Sequence, residues 1–177
     1  MNETVVLQEL QGGLWHTTHP SRFQQIVEHG AIVPEPDIPD AERWCTGSGQ
    51  KHYPYVRTLG GVSLFDFEGF DPASYAEKCP ISNWHEFVPF RKLWQCAVWI
   101  EIDRERAASK LVSGADLTAR WKSEAAYGHM IMPYIEAAYI GDLFLSAIKR
   151  AFVVRAGQKE FEPIELAAPT IQSRHSE

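Results

Sequence analysis

The sequence predicts an α+β domain with a few short helices. Short strand-like apolar segments recur from near one end of the chain to the other, and the helical segments between them are brief and individually capped. The chain has 177 residues, 45% hydrophobic, 12% aromatic and 23% charged. That length and balance suit one globular domain and exclude a disordered, collagenous or coiled-coil chain. We place the whole of 1–177 in that domain, with a core over about 13–155 and a frayed polar tail after about 163.

The elements follow in order. Gly13-Leu14-Trp15-His16-Thr17-Thr18 is β-compatible. Pro20 then suits the first position of a helix, where its missing N–H is not needed. Phe23, Ile26 and Val27 recur at helical spacing, and Gly30 is the expected helix stop. Ala31 to Val33 restarts an apolar segment. From Pro34 to about Gly61 the chain is rich in Pro, Gly and aromatic residues, a loop of the length that is usually functional or partly disordered. Val62 to Phe67 reads as a strand, Pro72 to Lys78 as a helix, and Ile81 to Phe90 as a second aromatic loop. Ala97 to Ile102 is a strand and Arg104 to Val112 a helix, with Glu101 and Asp103 at the junction as its caps. Tyr134 to Ile140 alternates poorly, as a strand covered on both faces does. Gly141-Asp142 breaks it, Leu143 to Ile148 forms a turn or short helical piece, and Ala151 to Val154 is a strand.

Composition narrows the function. Lys and Arg number 17 against 23 Asp and Glu, giving a formal charge of −6, so a broad electrostatic footprint for nucleic acid is missing. A local basic path through Arg43, Lys51 and Arg57 is compatible with that balance. The three cysteines, Cys45, Cys79 and Cys96, are widely spaced and suit a reducing cytoplasm better than a disulfide framework or a zinc site. Glu3, Gln8 and Glu9 interrupt any apolar leader, and no apolar run has the ~18 residues of a membrane span. We therefore expect a cytoplasmic chain without a membrane partner or a metal. Fingerprints of dinucleotide-binding, phosphate-binding-loop, serine-hydrolase and zinc-protease enzymes are all missing.

Three places carry candidate chemistry. His16-Thr17-Thr18 offers an imidazole and two hydroxyls at a strand end, able to meet ribose hydroxyls and a carboxamide; a packed core histidine is the bland alternative. Glu136 puts a carboxylate inside an apolar strand, which is costly unless the group is bonded. The plainer alternative is an edge position or a pairing with Arg57 or Arg91. Ser63, beside Gly60 and Gly61, marks a close backbone approach.

In this order the three segments resemble the ADP-ribosyltransferase fold, in its diphtheria-toxin and poly(ADP-ribose) polymerase branch. That branch opens with a strand ending in His-x-Thr and a helix stopped by glycine, carries a Tyr or Ser motif on a second core strand, and ends with a glutamate on a late strand. Departures are Thr17 where many relatives have glycine, Leu143-Phe144 without the usual proline, and a second motif for which Tyr53, Tyr55 and Ser63 compete. The resemblance implies a split β-sheet core and NAD as substrate. It also implies Glu136 as the catalytic carboxylate, His16, Thr17 and Thr18 as NAD-holding groups, Tyr55 or Tyr53 stacked on nicotinamide, and Ser63 supporting Glu136 or the ribose. ADP-ribose would pass to a protein or nucleic-acid acceptor, and an inhibitor or antitoxin partner would fit such an activity. The alternatives are an RNA 2′-phosphotransferase-like enzyme of the same fold and a non-catalytic nucleotide- or protein-binding module.

Overall fold

The computed structural model describes residues 3–158 and 160–166. Its helices are α1 (Glu3–Leu10), α2 (Pro20–His29), α3 (Tyr55–Thr58), α4 (Pro72–Lys78), α5 (Arg104–Ala107) and α6 (Gly114–Ser123). The strands are β1 (Leu14–Thr18), β2 (Ala31–Ile32), β3 (Gly61–Asp66), β4 (Cys96–Ile102), β5 (Leu111–Val112), β6 (Glu136–Ile140), β7 (Leu143–Phe144), β8 (Ile148–Arg155) and β9 (Glu162–Ile164). Seven strands form one sheet in the order β5-β6-β3-β1-β4-β8-β9, and β2 with β7 forms a separate ribbon. Every pairing among the described strands is antiparallel. The class is therefore mixed, with short helices around an antiparallel sheet. No helix among the described residues is long and apolar enough to cross a membrane.

Both faces of the sheet are covered, so its strands are apolar on both sides. One face carries Trp15, Phe65, Trp99 and Phe152 beneath α1, α4 and the aromatic segment around Trp84 and Phe87. The other carries Leu14, Leu64, Ile100 and Ala137 beneath α2, α5 and β7. Local signals set most helix ends. Pro20 opens α2, and Gly30 closes it at φ 81°, donating its N–H to the Ile26 and Val27 carbonyls. The Asp71 carboxylate accepts from the Ser74 N–H at 2.8 Å to cap α4.

Three expectations are corrected. The helix expected over Arg104 to Val112 stops at Ala107, because Leu111 and Val112 are drawn into the sheet opposite Tyr139 and Ala138. Asp103 caps α5, accepting from the Glu105 and Arg106 N–H groups, but Glu101 does not. Glu101 is buried and ion-paired to Lys149 at 2.8 Å and to Arg150. At the other end, Glu162 to Ile164 forms β9 against β8, where the frayed tail was expected to begin. The remainder of that tail, residues 167–177, lies outside the described residues. α1 and α6 are additions that the sequence reading did not contain.

Candidate functional site

The site arises where two strands part. β1 pairs with β4 along its whole length, from Leu14 opposite Ile102 to Thr18 opposite Val98. Its ladder with β3 holds only Leu14 opposite Asp66 and Trp15 opposite Phe65. Beyond that point His16–Thr18 and Gly61–Ser63 face each other without a ladder, and a cleft of about 880 Å³ has both segments in its lining. That volume is within the usual range for small-molecule sites, ~300–1,000 Å³. The irregular segment after β2 (Val33 to Thr46) and the aromatic segment at Phe87, Arg91 and Trp94 supply more of its wall.

Ser63 joins the two candidate groups across the parting. Glu136 lies opposite Phe65 in the β3–β6 ladder, which puts its side chain on the same sheet face as Phe65 and Ser63. The Ser63 hydroxyl donates to Glu136 Oε1 at 2.7 Å. The other carboxyl oxygen, Oε2, accepts the Met132 N–H at 2.9 Å. His16 projects to the opposite face by strand alternation, and its Nδ1 sits 3.0 Å from the Ser63 carbonyl oxygen. A carbonyl only accepts, so Nδ1 carries the proton and Nε2 is left as an acceptor whenever the ring is neutral. Burial lowers the His16 pKa, partly offset by this bond, and so favours the neutral ring.

Glu136 has no exposed surface. Burial pushes its pKa up to about 7, with the bonds from Ser63 and Met132 opposing the rise. It forms no ion pair with Arg57 or Arg91, which disposes of the arginine pairing considered for it. A carboxyl in this state exchanges its proton near neutrality or, once ionised, stabilises a nearby positive charge. It lies in the cleft's lining with no exposed surface of its own.

The turn preceding β6 delivers Glu136. The Tyr134 backbone is left-handed at φ 65°, and its N–H donates to the Thr118 hydroxyl at 2.7 Å. Gly114 packs against the same turn: a Cβ there would lie 2.1 Å from the Tyr134 carbonyl oxygen. α6 therefore clamps the turn that aims the carboxyl.

Comparison with known proteins finds no matching family model, no matching curated protein and no matching solved structure.

The remaining expected residues divide. Thr17 and Thr18 line the cleft, and Thr17 Oγ1 is a buried oxygen without a hydrogen-bond partner among the described residues. Tyr55 is not in the lining. It is buried beside Leu117 and Ala138, and its hydroxyl donates to Glu124 at 2.6 Å; burial and that carboxylate push its pKa up to about 12. This corrects its placement as a ligand-stacking ring. Tyr53 bonds Asp40 and lies under the Arg57 guanidinium, 3.9 Å from the ring centroid. Of the basic path through Arg43, Lys51 and Arg57, Lys51 is not in the cleft's lining. Arg43 and Arg57 line the cleft but bind Glu35 at 2.6 and 2.7 Å, and Arg57 also binds Asp40 at 2.9 Å. The sequence reading did not place Arg22, Arg91 or the Met132 N–H at the site. A basic residue within a Trp- and Phe-rich segment was the available signal for Arg91; nothing in the sequence marks a backbone donor. Among the described residues no group of three or more His, Cys, Asp or Glu is arranged to hold a metal.

Proposed function

We propose that this chain is an ADP-ribosyltransferase-like enzyme that cleaves NAD and transfers ADP-ribose to a macromolecular acceptor. The observation that carries the reading is the convergence of Glu136 and His16 on Ser63 at one cleft formed where β1 and β3 part. The reading also accounts for the split in the sheet, as the place where a dinucleotide enters between the strands.

Breaking the nicotinamide–ribose bond builds positive charge on the ribose while neutral nicotinamide departs. An ionised Glu136, already oriented by Ser63 and Met132, would stabilise that charge and accept a hydrogen bond from the ribose 2′-hydroxyl. His16 Nε2 would accept from a second ribose hydroxyl, and Thr17 and Thr18 would serve the carboxamide or the ribose. With a folded-state pKa near 7, Glu136 is ionised over the upper half of the neutral range, so cleavage increases as pH rises through that value. Incubation with nicotinamide-labelled NAD tests the reading. Glu136→Gln keeps the size and both hydrogen bonds but cannot ionise, and nicotinamide release is expected to fall by roughly 10²–10³-fold. Equal release from the two proteins would refute it.

A further inference from the structure

Of the four arginines in the cleft's lining, two lie at its Trp94 end. Arg22 stands in the first turn of α2, and Arg91 lies between the Trp84–Glu86 turn and β4. Both guanidiniums lie over the Trp94 ring, Arg91 at 5.2 Å and Arg22 at 5.9 Å from its centroid. Arg22 reaches Glu42 at 3.1 Å, but that carboxylate is 60% exposed and well screened by solvent. Arg91 has no carboxylate at ion-pair distance among the described residues; Phe87, at 5.9 Å, and Trp94 are its neighbours. Burial, and then repulsion from Arg22, lower the Arg91 pKa, with Cys45 and the Glu86 carboxylate opposing the fall. The cleft's other two arginines are held by Glu35 and Asp40 as Arg22 is by Glu42, so Arg91 is the lining arginine without an ion pair among the described residues, and it lies beside Arg22 at the Trp94 end. That end leads toward the Glu136 carboxyl: the Arg91 guanidinium lies 5.9 Å from the Phe87 ring centroid, Phe87 packs 5.3 Å from Phe65, and Phe65 is the ladder partner of Glu136.

We propose that Arg22 and Arg91 form a phosphate-binding pair flanking Trp94, which grips a diphosphate or two successive backbone phosphates while the rest of the ligand extends toward Glu136. Two planar guanidiniums match the oxygen geometry and the charge of a diphosphate. The phosphates belong either to the dinucleotide or to a nucleic-acid acceptor. The ligand's identity rests on the NAD reading; the phosphate chemistry does not.

The test is calorimetric titration of inorganic pyrophosphate into the full chain at low ionic strength. Arg91→Gln and Arg22→Gln are expected to weaken binding roughly tenfold or more, and Arg91→Lys to fall between them and the parent. Arg120→Gln, an exposed arginine on α6 paired with Glu124, controls for general charge loss and is expected to bind like the parent. No pyrophosphate binding by the parent, or Arg91→Gln binding as tightly as Arg120→Gln, would overturn the proposal. Parallel titrations with ADP-ribose and a short single-stranded oligonucleotide assign the source. Weakening of ADP-ribose alone identifies the dinucleotide, weakening of the oligonucleotide alone identifies the acceptor, and no weakening of either overturns the site. Pyrophosphate binding that depends on Arg91, in a chain that releases no nicotinamide, would leave the phosphate site standing and remove the NAD reading.

Discussion

Glu136 is held in a buried state that costs stability once the carboxyl ionises. An unfolded chain ionises this carboxyl at the ordinary value near 4.5, whereas the folded chain keeps the proton up to about 7. Between those values the unfolded state sheds a proton that the native state retains, so this residue's contribution to stability falls as pH rises through that window. Above it the penalty is complete and constant. Gln at this position accepts the Met132 N–H through its carbonyl oxygen and donates its amide to Ser63 Oγ, so both existing contacts survive without the titration. Glu136→Gln should therefore nearly match the parent in urea denaturation near pH 4.5 and exceed it by roughly 3 kcal/mol at pH 8. An equal stability difference at both pH values would show that the carboxyl does not titrate as its burial demands. The same substitution is expected to abolish most nicotinamide release, so a more stable and less active protein is the signature of a group strained for function.

At the scale of elements, the contact between α6 and the turn before β6 controls where that carboxyl points. The helix begins on Gly114, and a methyl group there would meet backbone atoms of Tyr134 at 2.1 and 2.6 Å, which cannot swing away as a flexible side chain would. Gly114→Ala is expected to lower stability by ~1–3 kcal/mol, read as a lower urea midpoint, and to reduce nicotinamide release further in the fraction that stays folded. A wild-type midpoint would mean that α6 is not pressed against this turn. The clamp was not legible in the sequence, because it depends on two segments meeting: Gly114 looks like a helix breaker until Tyr134 is seen beside it. β1, α2 and α4 were legible because their signals are local, namely Pro20 and Gly30 for α2 and Asp71-Pro72 for α4. The end of α5 was not, since helix-compatible Leu111 is claimed by a strand partner, Tyr139, that follows it by many residues. In the site, His16, Ser63 and Glu136 stood out as polar groups in apolar strands. Tyr55 misled because its position in an aromatic loop says nothing about which way the ring turns, and it turns toward Leu117.

Across the whole molecule, the cleft exists because β4 holds β1 and β6 holds β3 along ladders that outlast the short β1–β3 pairing. The rigid sheet thus provides the floor, while segments without regular ladders provide the walls. The wall after β2 is fastened by charge: Glu35 receives both Arg43 and Arg57, and Arg57, on α3, also holds Asp40 and covers Tyr53. Burial alone would raise the Glu35 pKa, but the hydrogen bonds and charges of Arg57 and Arg43 outweigh it and hold the carboxyl below the ordinary value. Glu35→Gln removes the charge at the centre of this lattice while leaving the sheet's apolar faces intact. Local opening of the segment from Val33 to Tyr53 should become easier without a matching loss of global stability, since such openings draw on local contacts. Limited proteolysis is expected to cut faster within that segment, with a nearly unchanged melting temperature, and raised salt should bring the parent toward the variant's cleavage rate by screening the same charges. Unchanged cleavage in Glu35→Gln would assign the wall's order to the packing of Trp44 against Phe87 instead. A proportional fall in melting temperature would make the ion lattice part of the cooperative core rather than a fastening laid over it.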